Sequence, residues 1–139
     1  MKKIKVLFIL IAALVFGVAS AEAYTYELST MEGTVGKSGI VMDLTVNTST
    51  GKATGWYYYK SKGPKNKIQL SGKIYGDPID NEVKMTLTES VNGKTTGTFS
   101  GKCWMSVTGN QGYIGTWTSP AGKKLNFSVD YFSPGAWDD

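Results

Sequence analysis

From residue 24 onward, apolar and polar residues alternate along short segments that glycine, asparagine, aspartate and proline separate. Alternation with a period of two is typical of strands with one buried face, and no window repeats apolar residues at helical spacing. The pattern therefore predicts an all-β chain. The predicted strands span residues 24–31, 40–47, 53–60, 67–75, 82–91, 94–107, 113–118 and 124–132.

The connections between these segments are short, which favours antiparallel neighbours. Asn92-Gly93 is the strongest turn signal, because a type I′ turn needs positive φ at both central residues. A sheet of eight antiparallel strands with one apolar face must fold over or close, since an open edge invites pairing with other chains. We therefore expect an antiparallel up-and-down β-barrel rather than a sandwich.

Strand parity predicts which residues face the barrel interior. Glycines share a parity with aromatic residues, as Gly55 does with Tyr57 and Gly97 with Phe99. Such glycines permit the sharp strand coiling that closure needs and leave space for a neighbouring ring. Cys103, the only cysteine, continues the parity of Phe99, so we expect a buried, unreactive thiol and no internal disulfide. The interior is predicted to be aromatic and tightly filled.

The first 23 residues form a different kind of segment. A head with Lys2, Lys3 and Lys5 precedes an apolar run from Val6 to Val18 and a small-residue stretch at 19–23. This order predicts a cleaved secretory signal peptide, a location in the periplasm or outside the cell, and one mature domain over residues 24–139. Residues 132–139 are predicted to fray.

Composition narrows the chemistry. The chain has 15 lysines, no arginine and no histidine, and without the leader 12 lysines face 10 carboxylates. This small excess gives little reason to expect nucleic acid. Without histidine, Ser-His-Asp and Cys-His nucleophiles cannot form. We therefore expect no catalytic residues, no metal and no cofactor, although carboxylate-only glycosidase chemistry stays open by composition.

Several strings recur at strand spacing, among them Gly55-Trp56-Tyr57-Tyr58-Tyr59, Thr96-Gly97-Thr98-Phe99-Ser100-Gly101 and Gly115-Thr116-Trp117. Together they resemble a loose set of bacterial exported proteins with Gly-x-Tyr-x-Tyr, Thr-Gly-x-Phe-x-Gly and Gly-x-Trp repeats. The resemblance covers most of the mature chain. It implies a small barrel and no particular activity.

A second string, Ser71-Gly72-Lys73-Ile74-Tyr75, is similar to the Ser-Gly-x-x-Tyr loop of the bacterial periplasmic lysozyme inhibitors. That resemblance implies an inhibitor in which Ser71, Gly72 and Tyr75 enter a hydrolase cleft. Two features depart from the family pattern. The disulfide of several inhibitor families is impossible here, and this copy lies in a predicted strand.

Trp56 and Tyr58 have the opposite parity to Tyr57 and are predicted to face solvent. Adjacent outward aromatics indicate a sugar-stacking or protein-binding patch, whereas a bulge at Gly55 would turn both rings inward. A lysine-rich hairpin follows at once, and it either joins the patch or serves as a solubilising turn. Its lysines are Lys60, Lys62, Lys65 and Lys67.

Glu89 continues an apolar parity, so it either points into the barrel as a candidate site or lies at the barrel rim with water or Lys94 as its partner, and we favour the rim. The favoured hypothesis is an exported, non-catalytic binding module whose partner is a protein or glycan surface of acidic character. One alternative is an inhibitor of a hydrolase such as lysozyme. The other is a lipocalin-like carrier with its ligand inside the barrel.

Overall fold

The strands form one antiparallel sheet in chain order, and its last strand closes onto its second. A computed structural model of the protein describes residues 3–8 and 22–132. The strands are β1 (Lys3–Phe8), β2 (Glu22–Val35), β3 (Ser38–Asn47), β4 (Lys52–Tyr59), β5 (Ile68–Tyr75), β6 (Val83–Val91), β7 (Lys94–Met105), β8 (Gln111–Thr118) and β9 (Lys124–Tyr131). Strands β2 to β9 therefore make a closed, eight-stranded up-and-down barrel, and the predicted fold class is confirmed.

Strand β2 is longer than the sequence predicts, because it continues past Met31 to Val35. Its register against β3 shifts between Leu28 and Met31, and a bulge of this kind bends a strand. Beyond the bulge, residues 32–35 pair with residues 127–130 of β9 and close the barrel. A Cβ at Gly33 would lie 1.8 Å from the carbonyl oxygen of Ser128, so glycine is what allows this close approach.

Strand β1 pairs with residues 22–27 of β2 and lies outside the closed barrel. Strand β1 falls within the segment predicted to be a signal peptide. Most of that segment and the tail at 133–139 lie outside the described residues. Cleavage, export and fraying therefore remain predictions. Within residues 3–8 and 22–132, no helix is long and apolar enough to cross a membrane.

A chain of aromatic rings runs through the barrel interior. Tyr57, Phe99, Phe127 and Tyr113 are at most 2 % exposed, and successive ring centroids lie 5.2, 5.0 and 4.7 Å apart in edge-to-face contacts. Such contacts stabilise a core beyond the apolar area that they bury. Cys103 is also fully buried. The predicted aromatic filling is present, and it does not favour a carrier with an open interior.

Candidate functional site

Trp56 and Tyr58 lie on the outer surface of β4 and are partly exposed, while Tyr57 between them is fully buried. The register of β4 against β3 runs without a shift from Lys52 to Tyr59, so the alternative of a bulge at Gly55 is wrong. The two outer rings are nearly parallel, at 19°, with centroids 6.0 Å apart. Alternation along β4 therefore places two stacked aromatic rings on the outer surface, where both are partly exposed.

Polar groups from both neighbouring strands surround Trp56. The strand register places Asp43 of β3 on one side of Trp56 and Gln69 of β5 on the other. The ammonium of Lys67 lies 4.4 Å from the centroid of the Trp56 ring, which is a cation–π contact. We call Asp43, Trp56, Tyr58, Lys67 and Gln69 the flank site.

Asp43 is the carboxylate of the flank site. Its pKa is raised, chiefly because partial burial disfavours the charged form and also because Glu27 is near. A backbone hydrogen bond from Thr30 and the charge of Lys67 oppose that rise. The site thus offers partly exposed aromatic rings, an ammonium donor, a carboxylate and an exposed amide. These are the groups that bind the apolar face and the hydroxyls of a sugar ring.

The four lysines of the lysine-rich hairpin have different surroundings. Lys60 forms an ion pair with Glu32 at 2.5 Å, and Lys67 covers Trp56, so each of these two lysines contacts a strand residue on the outer surface. Lys62 and Lys65 lie in the connection itself and are exposed. Lys67 therefore joins the ring pair, and the membership of Lys60, Lys62 and Lys65 in one patch remains a prediction.

Glu89 is buried inside the barrel, at 4 % exposure, and its partners are not those expected at a rim. Its carboxylate accepts hydrogen bonds from the Tyr57 hydroxyl at 2.5 Å, Trp117 Nε1 at 2.9 Å and the Thr96 hydroxyl at 2.7 Å. The predicted partnership with Lys94 is wrong, because these three donors converge on Glu89 from β4, β7 and β8. The pKa of the Tyr57 hydroxyl is raised, chiefly because the group is buried and also because it donates a hydrogen bond to Glu89.

Gly97 is the sequence signal for this network. A Cβ at position 97 would lie 2.6 Å from Trp117 Nε1, so the indole lies against bare backbone where it donates to Glu89. The Gly-x-Phe and Gly-x-Trp strings indicated that a ring would lie over glycine. They did not identify the carboxylate that this ring contacts.

The Ser-Gly-x-x-Tyr string lies in β5, which pairs with β4 and β6 on its two sides. Ser71 is exposed on the outer face, and Tyr75 is 54 % exposed at the end of the strand. Neither Ser71 nor Gly72 is in a projecting loop, which is the setting that the inhibitor resemblance implies. The inhibitor role of these residues remains a prediction.

Comparison with known proteins identifies no family for this chain. No protein-family model matches the chain, and no curated protein and no solved structure matches it. In the described part of the chain, no group of three or more cysteine, aspartate or glutamate residues is placed to hold a metal ion. The function is therefore inferred from the surfaces of the barrel.

Proposed function

We propose that the protein is an exported, non-catalytic binding module whose flank site binds an acidic glycan. The observation that carries this proposal is the partly exposed pair of near-parallel rings on β4 with the Lys67 ammonium over one of them. Ring faces contact the apolar face of a sugar, and an ammonium attracts an acidic substituent. Asp43 and Gln69 supply hydrogen-bonding groups on either side.

A binding role is also consistent with the state of the carboxylates. Both oxygens of Glu89 already accept hydrogen bonds inside the barrel, so this group is held in place rather than presented to a substrate. Asp43 is the acidic member of the flank site, and paired-carboxylate glycosidase chemistry needs a second group across the scissile bond. These features support recognition rather than hydrolysis.

The test is calorimetric titration of the protein with polygalacturonate, a carboxylated glycan, and with dextran, a neutral one. We expect binding to polygalacturonate alone, weakened by salt because the attraction is partly electrostatic. Replacing Trp56 and Tyr58 with serine should abolish the binding while the melting temperature stays nearly unchanged, because both rings lie outside the core.

The matched control replaces Tyr75 and Trp104 with serine. These are also outer residues with at least partial exposure, but they lie away from the flank site. The control variant should bind as the wild type does. Equal loss of polygalacturonate binding in the two variants would contradict the proposal. So would a large drop in the melting temperature of the variant with serine at positions 56 and 58. Binding of an acidic protein but not of polygalacturonate would assign the site to the other partner class.

A further inference from the structure

The up-and-down topology sorts the connections of the barrel between its two ends. The connections after β2, β4, β6 and β8 lie at one end, which we call the lysine end, and those after β3, β5 and β7 lie at the other. The connections of the lysine end and the strand residues that flank them carry eight lysines and no carboxylate: Lys37, Lys60, Lys62, Lys65, Lys67, Lys94, Lys123 and Lys124.

The opposite end has the reverse balance. Counted in the same way, it carries one lysine and three carboxylates: Lys52, Asp77, Asp80 and Glu82. A chain with only a small positive excess over residues 24–139 therefore has a strongly positive end and a negative end. Such a charge distribution orients a protein against an anionic surface.

Most of the lysine end is available for such a contact. All eight lysines are exposed, and they project from four separate hairpins around the barrel rim. Among the described residues, Lys60 forms an ion pair with Glu32, which lies further back along β2 than the residues counted here, and Lys67 covers Trp56. The remaining six lysines form no ion pair within the described chain. A flat anionic surface would meet all four hairpins at once, which a single polymer strand would not.

Apolar groups accompany these charges. A cavity of about 460 Å³ opens beside the β4–β5 hairpin and is lined by Tyr59, Lys62, Asn66, Lys67, Ile68 and Val91. Val91 is 43 % exposed at the end of β6. Lysines beside apolar side chains suit a ligand in which an anionic group adjoins hydrocarbon. A phospholipid has this chemistry, and a sugar acid does not.

We propose that the lysine end docks the protein onto a bilayer that contains anionic phospholipid. The four hairpins contact the headgroups, and the cavity beside the β4–β5 hairpin receives part of one lipid. Docking in this orientation leaves the flank site at the side of the barrel and directs the acidic end away from the membrane. The inference goes beyond glycan binding and does not depend on it.

The test is co-sedimentation of the protein with vesicles of phosphatidylcholine alone and of phosphatidylcholine mixed with phosphatidylglycerol. We expect binding to the mixed vesicles only, reversed by high salt. A lysine near an anionic bilayer contributes about fivefold to partitioning. Replacing Lys62, Lys65, Lys123 and Lys124 with glutamine should therefore lower partitioning more than about 100-fold.

The matched control replaces four exposed lysines outside the lysine end, Lys52, Lys73, Lys84 and Lys102, with glutamine. It removes the same net charge and should retain most of the binding. Equal loss in the two variants would show that net charge alone acts and would overturn the proposal, as would binding to phosphatidylcholine alone. If the wild type does not bind vesicles and the glutamine variant of the lysine end loses polygalacturonate binding, the lysine end would be assigned to a glycan instead.

The two variants separate the proposal of membrane docking by the lysine end from the proposal of glycan binding by the flank site. The first variant leaves Trp56, Tyr58 and Lys67 intact, so it should still bind polygalacturonate. The serine variant of Trp56 and Tyr58 leaves Lys62, Lys65, Lys123 and Lys124 intact, so it should still bind the mixed vesicles. Each surface is therefore tested by a change that spares the other.

Discussion

Glu89 places a carboxylate among the rings of the barrel interior, where water is nearly excluded. Burying such a group costs several kcal/mol unless donors replace its hydration. Tyr57, Thr96 and Trp117 supply three donors here. A hydrogen bond to a charged group contributes about 1.5–3 kcal/mol, so the interior depends on each member of this network.

Tyr57→Phe tests this dependence, because phenylalanine keeps the ring contact with Phe99 and removes one donor to Glu89. We expect the free energy of unfolding in urea to fall by about 1.5–3 kcal/mol. The control is Tyr59→Phe, since the Tyr59 hydroxyl lies 3.5 Å from that of Tyr57 and does not bind Glu89. It should change stability by less than about 0.5 kcal/mol. Equal losses would mean that Glu89 does not need the Tyr57 donor.

Among the elements, the β6–β7 hairpin shows how local sequence determines structure. Asn92 has φ 53° and Gly93 has φ 78°, as the two central residues of a type I′ turn require. Nothing lies within 4 Å of a Cβ built at Gly93, so a larger residue there meets backbone strain but no steric clash. The turn prediction is confirmed at both positions.

Gly93→Val should therefore lower the free energy of unfolding by at least about 1 kcal/mol, because a β-branched residue resists the left-handed conformation. Gly93→Asn should lower the free energy of unfolding by less, since asparagine adopts the left-handed conformation more readily. Thr95→Val, at an exposed position of β7, controls for adding valine to this hairpin. A neutral Gly93→Val variant in urea melts would mean that the connection does not need the type I′ geometry.

Across the molecule as a whole, burial of weak acids links stability to alkaline pH. Burial raises the pKa of the Cys103 thiol from 9.0 to about 12, and it raises the pKa of Tyr57 and Tyr113 above their usual 10.0. The native state keeps all three protonated, whereas the unfolded chain loses these protons, that of Cys103 first. Stability is thus fully present below pH 9 and falls as the pH rises towards 12.

Cys103→Ala isolates the thiol, which titrates first. Between about pH 8 and 10 the wild type should lose about 1 kcal/mol of unfolding free energy that the variant keeps, since a tenfold change in a protonation equilibrium corresponds to about 1.4 kcal/mol. The tyrosines and lysines contribute equally to both proteins. Urea unfolding over this range measures the difference. Parallel pH profiles would mean that the thiol is not shielded in the native barrel.

Several features of the barrel follow from the amino-acid sequence alone: the number of its strands, which residues face inward, and the geometry of the Asn92-Gly93 turn. Alternation also predicts the outward direction of Trp56 and Tyr58, but the register of β4 against β3 was needed to exclude a bulge at Gly55. These features depend on residues close together in the chain, through strand alternation and turn conformation. Neighbouring residues therefore encode them directly.

The partners of Glu89, the closure of β2 onto β9 and the separation of charge between the two ends depend instead on the folded barrel. Tyr57 and Trp117 lie 32 and 28 residues from Glu89 in the chain, and their contact with it depends on the register of several strands. The lysines meet at one end because alternate connections of an up-and-down barrel share an end. Local alternation does not specify these long-range relationships, since they arise only when the sheet closes.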